Sequence, residues 1–370
     1  MIHFHPLRIK EIRKETEECV SILFDIPDEI KSQFTFKQGQ SLTMRTHLQG
    51  EEVRRTYSIC SSPLDNEWRV AIKKVPGGLF SSHANDGLKE GDLLEVMPPV
   101  GKFYTDLDRS HQKDYLAVAA GSGITPVLSL IKTTLLTEPK SSFTLVYGNR
   151  TRSSIIFKEE LDALKNKYMD RFVIHHVLSR EITDVPVYNG RVNREKCEVL
   201  FNKLIDLSNM DECFICGPEE MMFSVKVLLE EKGIDKKHIH FELFNTPVQK
   251  QLSPMLAGDS LPGHKTGSKS KPGTEETNSK ISVKLDGVFF DFELAQSGET
   301  ILDAALKQGA DLPFACKGGV CCTCRAKLVK GEVEMEVNYG LEQDEIEAGF
   351  ILTCQSHPTT KEVMLDFDIR

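Results

Sequence analysis

The sequence predicts a multidomain chain: an antiparallel β-barrel, then a doubly wound α/β layer, then a small α+β domain. Three observations predict it. Short alternating apolar runs, punctuated by glycine and proline, fill residues 1–108. From Tyr115 to Phe244, continuous apolar runs alternate with helix-type segments. After a stretch rich in Gly, Ser, Pro and Lys come a hairpin signal, a short helix and a cysteine-rich loop. The expected boundaries are 1–108, 109–246, a flexible tether over 247–279, and 280–370.

The 370 residues suit two to three domains, and an apolar fraction of 40% is ample for packed cores. The formal net charge of −9 disfavours nucleic acid as a partner, and no basic tract argues otherwise. No apolar run approaches the roughly 18 residues of a spanning helix, so membrane insertion is not expected. Met-Ile-His-Phe-His-Pro at the start has no signal-peptide core. Ten cysteines without a secretion signal point to a reducing, cytoplasmic setting and to metal ligation rather than disulfides.

In the first domain Leu7, Ile9 and Ile12, then Val20, Ile22 and Phe24, alternate as half-buried strands do. Gly39, Gly50, Pro63, Gly77-Gly78 and Gly91 mark turns. Many short strands of this kind suit a barrel or a sandwich. His3 and His5 alternate on one strand and read as exposed histidines before they read as metal ligands. Arg54 to Ser61 stands out. Arg55 can clamp a pyrophosphate, Tyr57 can stack on a flat ring, and Ser58 can hydrogen-bond a ring nitrogen. Downstream, Ile72 and Lys73 lead to Gly77-Gly78 and then Ser81-Ser82, a turn that suits a phosphate held by backbone N–H groups. The bland alternative is a hairpin turn and an ordinary helix cap.

In the second domain Tyr115–Ala120 reads as a buried parallel strand. Gly121-Ser-Gly123-Ile-Thr125-Pro126 and a helix to Leu136 follow, the layout of a dinucleotide-binding turn. Pro126 stands where the fingerprint has its third glycine, a position compatible with a first helical turn. Strands are expected at Phe143–Tyr147, Phe172–Leu178, Glu212–Cys216 and His238–Phe244, with helices at Phe157–Tyr168 and Pro218–Lys232. This alternation implies a parallel sheet with ligands beyond the strand C-termini. Arg150, Arg152, Arg180 and Cys216-Gly217-Pro218 lie there. The second strand closes on Gly-Asn-Arg rather than on an acid, which suits a 2′-phosphate and hence NADPH. NADH stays open, because Arg150 and Arg152 also read as solvated charges at a helix start.

The tether reads as a random coil spanning roughly 30 Å, long enough for the last domain to swing as an electron shuttle. In the last domain Ile281, Val283 and Leu285, Asp286-Gly287, and Val288–Phe292 form a hairpin signal. A helix near Thr300–Lys307 packs Ile301, Ala304 and Ala305 on the sheet. Cys316, Cys321 and Cys324 follow C-x4-C-x2-C spacing with Cys354 distant, the plant-type pattern for a 2Fe–2S cluster. Gly318 and Gly319 let the loop bend round the cluster. Zinc more often takes two CxxC knuckles, and the loop holds one. Cys322 fits no ligand position.

Arg55-x-Tyr57-Ser58, Gly77-Gly78-x-x-Ser81, Gly121-x-Gly123-x-Thr125-Pro126 and Cys216-Gly217-Pro218 occur in the order of the ferredoxin–NADP reductase superfamily, which the chain resembles. With a plant-type ferredoxin domain appended, it resembles the reductase component of a multicomponent oxygenase. The resemblance implies a β-barrel for FAD, an α/β domain for NAD(P)H and a β-grasp ferredoxin domain. It implies Arg55 on the FAD pyrophosphate, Tyr57 on the isoalloxazine and Ser58 near flavin N5. Ile72, Lys73, Gly78, Ser81 and Ser82 would supply further FAD contacts. Thr125 and Cys216 would lie by the nicotinamide, and Phe244 would approach the flavin with Glu242 nearby. The catalytic set it implies is Tyr57, Ser58 and Cys216. The acceptor would be an oxygenase or another one-electron acceptor protein, such as a hybrid-cluster protein or a desaturase. A non-catalytic redox sensor is disfavoured, because no output module is legible.

Overall fold

The computed structural model describes residues 3–244 and 278–369. The chain divides into two compact units, one spanning Ile2–Phe244 and one formed by the rest. Most of the expected tether, residues 247–277, lies outside the described residues.

The first unit begins with six strands: β1 (His5–Thr16), β2 (Cys19–Asp25), β3 (Ser41–Leu48), β4 (Glu51–Ser58), β5 (Trp68–Lys73) and β6 (Leu93–Val96). They pair antiparallel in the order β4-β3-β6-β1-β2-β5. A bridge between Ile59 and Val70, with the Cys60 N–H donating to Arg69 O at 2.8 Å, joins the two edges into a barrel. Closure removes the edges that an open sheet would expose. Strand alternation carries Leu7, Ile9, Ile22, Phe24, Leu42, Met44, Val70 and Ile72 inward. His5 shares the parity of Leu7 and Ile9. It is therefore half-buried, with its ring edge-on to Phe34 at 5.6 Å, and not the exposed histidine expected from sequence. Helix α1 (Leu79–Asp86) follows β5.

The unit continues as β7 (Asp114–Ala120), α2 (Ile124–Thr137), β8 (Ser142–Asn149), α3 (Lys158–Lys167), β9 (Phe172–Leu178), α4 (Arg194–Lys203), β10 (Met210–Cys216), α5 (Glu219–Glu231) and β11 (Ile239–Glu242). The strands are parallel, in the order β11-β10-β7-β8-β9. The chain winds outward from β7 to β9, then returns to the other side at β10. The switch point therefore lies between β7 and β10, where ligands of such sheets bind. Sequence reading did not anticipate α4. It buries Cys197, Leu200 and Phe201, and Asn193 caps it by accepting the Lys196 N–H at 2.9 Å.

Polar contacts fix the barrel against the α/β layer. Ser129 of α2 donates to Ser61 O at 2.6 Å, and Lys132 bridges Asp65 and Glu160, each at 2.7 Å. Glu138, fully buried, accepts from Tyr115 (2.9 Å), Ser141 (2.7 Å) and the Asp108 N–H (3.1 Å), and lies 2.8 Å from His111 Nδ1. That carboxylate ties the connecting segment to the end of α2. No described helix is long and apolar enough to cross a membrane.

The second unit comprises β12 (Asn278–Leu285), β13 (Val288–Ala295), α6 (Ile301–Lys307), β14 (Arg325–Lys330), β15 (Val333–Met335), α7 (Gln343–Glu347), β16 (Phe350–Leu352), β17 (Ser356–Pro358) and β18 (Glu362–Asp366). The main sheet runs β13-β12-β18-β14-β16, with β12 and β18 parallel at its centre and α6 packed on one face, the β-grasp arrangement. Asp286 (φ 51°) and Gly287 (φ 76°) make the two-residue hairpin turn, and Asp368 accepts both their N–H groups at 2.6 and 3.0 Å. Ile301, Ala304 and Ala305 are buried as expected. The first strand starts at Asn278, two residues inside the span expected to be tether.

Candidate flavin, nucleotide and cluster sites

Strand β4 carries Arg55 and Tyr57 on one face. Tyr57 is half-buried against Phe80, centroids 5.5 Å apart, and burial pushes its phenol above the usual range. Arg55 rests its guanidinium on Arg54 O at 2.7 Å, a contact an incoming pyrophosphate can replace. Ser58, at the end of β4, donates to Glu242 at 3.0 Å. Glu242 ends β11 in register with Cys216 on β10. Ser58 from the barrel and Cys216 from the sheet thus meet around one carboxylate. Burial pushes Glu242 up to about 7 and pushes the Cys216 thiol well up. Cys216 is therefore a neutral wall, not a thiolate.

The turn before α1 is built from its own side chains. A Cβ on Gly78 would fall 2.5 Å from Ser81 Oγ. Ser81 Oγ accepts the Val75 N–H at 3.1 Å and donates to Gly78 O at 3.3 Å, so its hydroxyl closes the turn. The Ser82 N–H is spent on Gly78 O at 3.0 Å. What remains for an anion is the first helical turn's N–H groups. Ile72 is fully buried in the barrel core, and its carbonyl accepts from Asn85 at 3.0 Å. Of the expected flavin contacts it has the least to offer. Lys73 lies 3.9 Å from Glu18, and Glu18 is also 3.9 Å from Arg150.

At the switch point two loops press together. A Cβ on Gly123 would lie 2.1 Å from Cys216 O, and one on Gly217 would lie 3.2 Å from Ala120 Cβ and 3.3 Å from the Ala120 nitrogen. Only glycine permits this approach. Thr125 is buried and donates to Ser122 O at 3.0 Å, and Pro126 sits in the first turn of α2. Pro218 caps α5, so the N-termini of α2 and α5 both open on the crevice. The Ser179 and Arg180 N–H groups donate to Asn149 O (2.9 Å) and Arg150 O (2.8 Å), which brings Arg180 beside Arg150. Arg152 is engaged by Glu181, at 3.2 Å through Nε and 2.8 Å through its own N–H. Of the three arginines expected there, Arg180 and Arg150, the latter only 3.9 Å from Glu18, are less closely engaged than Arg152. Phe244 is exposed two residues past Glu242.

In the second unit Lys317 (φ 51°) and Gly319 (φ 71°) bend the cysteine loop, and a Cβ on Gly319 would strike Val337 O at 2.7 Å. Cys316 Sγ accepts the Gly318 and Cys321 N–H groups at 3.3 and 3.4 Å. The Cys321 thiol, then these N–H groups and that of Val320, hold Cys316 down to about 6. Cys324 similarly holds Cys354 down. The four sulfurs form two pairs, Cys316 with Cys321 and Cys324 with Cys354. No three potential ligands among the described residues close on a single ion. Two pairs fit two irons, whereas zinc would need all four thiolates around one point. Cys322 turns away and donates to Gly340 O at 2.6 Å.

Sequence reading missed Glu18, Glu181 and the closure of the Ser81 turn. No motif marks them, because each contact depends on the folded chain.

Comparison with known proteins agrees domain by domain. Residues 6–104 match the oxidoreductase FAD-binding domain, 117–226 the oxidoreductase NAD-binding domain, and 283–359 the 2Fe-2S iron-sulfur cluster binding domain. One subunit of the 1,2-phenylacetyl-CoA epoxidase of Escherichia coli (strain K12) is 43% identical over 100% of this chain and 99% of its own. The ferredoxin reductase component of 3-ketosteroid-9-alpha-monooxygenase from Rhodococcus rhodochrous is 32% identical over 98% and 96%. The glycine betaine monooxygenase reductase subunit of Pseudomonas aeruginosa is 32% identical over 98% and 95%. Among solved structures, phthalate dioxygenase reductase shares the fold, with a TM-score of 0.56 at 24% identity over 98% of each chain.

Proposed function

Since the chain belongs to the FAD- and 2Fe–2S-containing reductase components of multicomponent oxygenases, we propose that it draws on NADPH and serves a phenylacetyl-CoA epoxidase. The observation that carries the choice of acceptor is end-to-end similarity. Identity to the epoxidase subunit is 43%, against 32% for the ketosteroid and glycine betaine reductases. The proposed domains are residues 1–108 for FAD, 109–246 for the nucleotide and 280–370 for the cluster, joined by a tether and working in the cytoplasm.

A bound flavin supplies the exchange between a two-electron hydride donor and a one-electron acceptor. The chain's own part is to bind, orient and shield. Arg55 and the first turn of α1 hold the flavin's pyrophosphate, and Tyr57 covers its ring. The Ser58 hydroxyl, its proton given to Glu242, turns its oxygen lone pairs to where the ring would lie. Gly123 and Gly217 let the two crevice loops close, and the neutral Cys216 forms an apolar wall against the nicotinamide. Arg150 and Arg180 hold the 2′-phosphate. Cys316 with Cys321, and Cys324 with Cys354, hold the two irons.

The test is reconstitution. Holoprotein is mixed with the epoxidase's other subunits, phenylacetyl-CoA and NADPH, and epoxide formation is followed by mass spectrometry. Product that depends on this chain supports the assignment. Electron delivery to a ketosteroid hydroxylase, a desaturase or a hybrid-cluster protein, with none to the epoxidase, would move the chain to that acceptor.

A further inference from the structure

Gly121 turns the chain from β7 into α2, and a residue of the neighbouring strand holds its carbonyl. Tyr147 of β8 is fully buried, and its phenol donates to Gly121 O at 3.0 Å. That oxygen also accepts the Ile124 N–H of the first turn. A carbonyl oxygen only accepts, so the phenol's one proton goes to Gly121 O.

The consequence lies on the far side of the peptide. A trans peptide carries its C=O and the next N–H in opposite directions. With the Gly121 carbonyl drawn inward to Tyr147, the Ser122 N–H points outward. Gly121 itself is left-handed, at φ 55°, and nothing lies within 4 Å of where its Cβ would stand. The Ser122 N–H thus joins the first-turn N–H groups that open α2.

We propose that Tyr147 is a positioning residue for the nucleotide: its phenol sets the 121–122 peptide so that the Ser122 N–H meets the pyrophosphate of bound NAD(P). The inference rests on reading the crevice as the nucleotide site. A tyrosine that merely fills the space beside α2 would act on every ligand alike, or on none. A tyrosine that aims one N–H at the pyrophosphate acts only on ligands that contain it.

The experiment measures dissociation constants of holoprotein for NADP⁺ and for adenosine 2′-phosphate, which lacks the pyrophosphate, in wild type and Tyr147→Phe. NADP⁺ should bind about fivefold more weakly in the variant, the effect of one ordinary hydrogen bond. Adenosine 2′-phosphate should bind unchanged. KM for NADPH should rise by a similar factor, while kcat with ferricyanide at saturation and the flavin content stay at wild-type values. Should Tyr147→Phe fail to fold, 4-fluorophenylalanine in place of Tyr147 keeps the bulk of the para substituent without its proton and should show the same selectivity. Equal weakening of both ligands, or no change in either, would overturn the role. Wild-type protein that bound neither ligand would overturn the nucleotide reading and this role with it.

Discussion

Gly123→Ala strikes the closest approach in the nucleotide crevice. The added Cβ would stand 2.1 Å from Cys216 O, 2.5 Å from Cys216 C and 3.0 Å from Gly217 N. All three are backbone atoms of the opposing loop, so no side-chain rotation relieves the clash. A carbon–oxygen contact needs about 3.3 Å, so the loops after β7 and β10 must part by on the order of 1 Å. The overpacking costs about 1–3 kcal/mol of stability. The kinetic cost is larger, because a misplacement of about 1 Å at reacting centres slows transfer on the order of 100-fold. Anaerobic stopped-flow follows flavin bleaching by NADPH and, separately, by dithionite. The variant should bleach about 100-fold more slowly with NADPH and at the normal rate with dithionite, which needs no crevice. Wild-type speed with NADPH would refute the argument that hydride donor and flavin meet where these two loops touch.

Further outcomes follow from the same geometry. Arg180→Ala and Arg150→Ala should each weaken NADPH binding about tenfold and leave NADH untouched, whereas Arg152→Ala, already engaged by Glu181, should change little; steady-state KM values with both nucleotides decide it. Glu242, raised to about 7, keeps its proton more tightly folded than unfolded, so its contribution to stability is intact below about 4.5 and is lost as pH rises through about 7. Relative to Glu242→Gln, the wild-type melting temperature should therefore fall across that window; parallel curves for the two proteins would remove the carboxyl from the argument. Glu138→Ala strands two buried hydroxyl donors, Tyr115 and Ser141, and should cost about 2 kcal/mol or more in denaturant unfolding, with Glu138→Gln milder. Cys322→Ser should keep the full visible and EPR spectra of the cluster, since its sulfur turns to Gly340 O, while Cys324→Ser should lose them.

Much of the fold is legible because local chemistry and final structure agree. Asp286-Gly287 needs two left-handed residues and has them, and Tyr115–Ala120 is apolar enough for only a central strand. Helix α4 escaped notice because its buried stripe is only three residues within a polar segment. Site residues were legible as motifs and not as contacts. Spacing places Ile72 beside the flavin turn, but strand parity sends its side chain into the core. Ser58 and Glu242 are 184 residues apart, and Arg152 and Glu181 are 29 apart. Such pairings exist only once the parallel sheet has set its strand order. The cysteine loop was the most legible part, since four thiols must converge and the spacing alone limits how they can.

One anaerobic titration tests the route from hydride donor to iron most directly. NADPH is added to reconstituted protein, with and without bound FAD, and the reduced cluster is counted by low-temperature EPR. The route requires the cluster signal to grow with added NADPH in the FAD-containing protein and to be absent without FAD. A cluster reduced equally well by NADPH in FAD-free protein, or never reduced in the complete one, would contradict it.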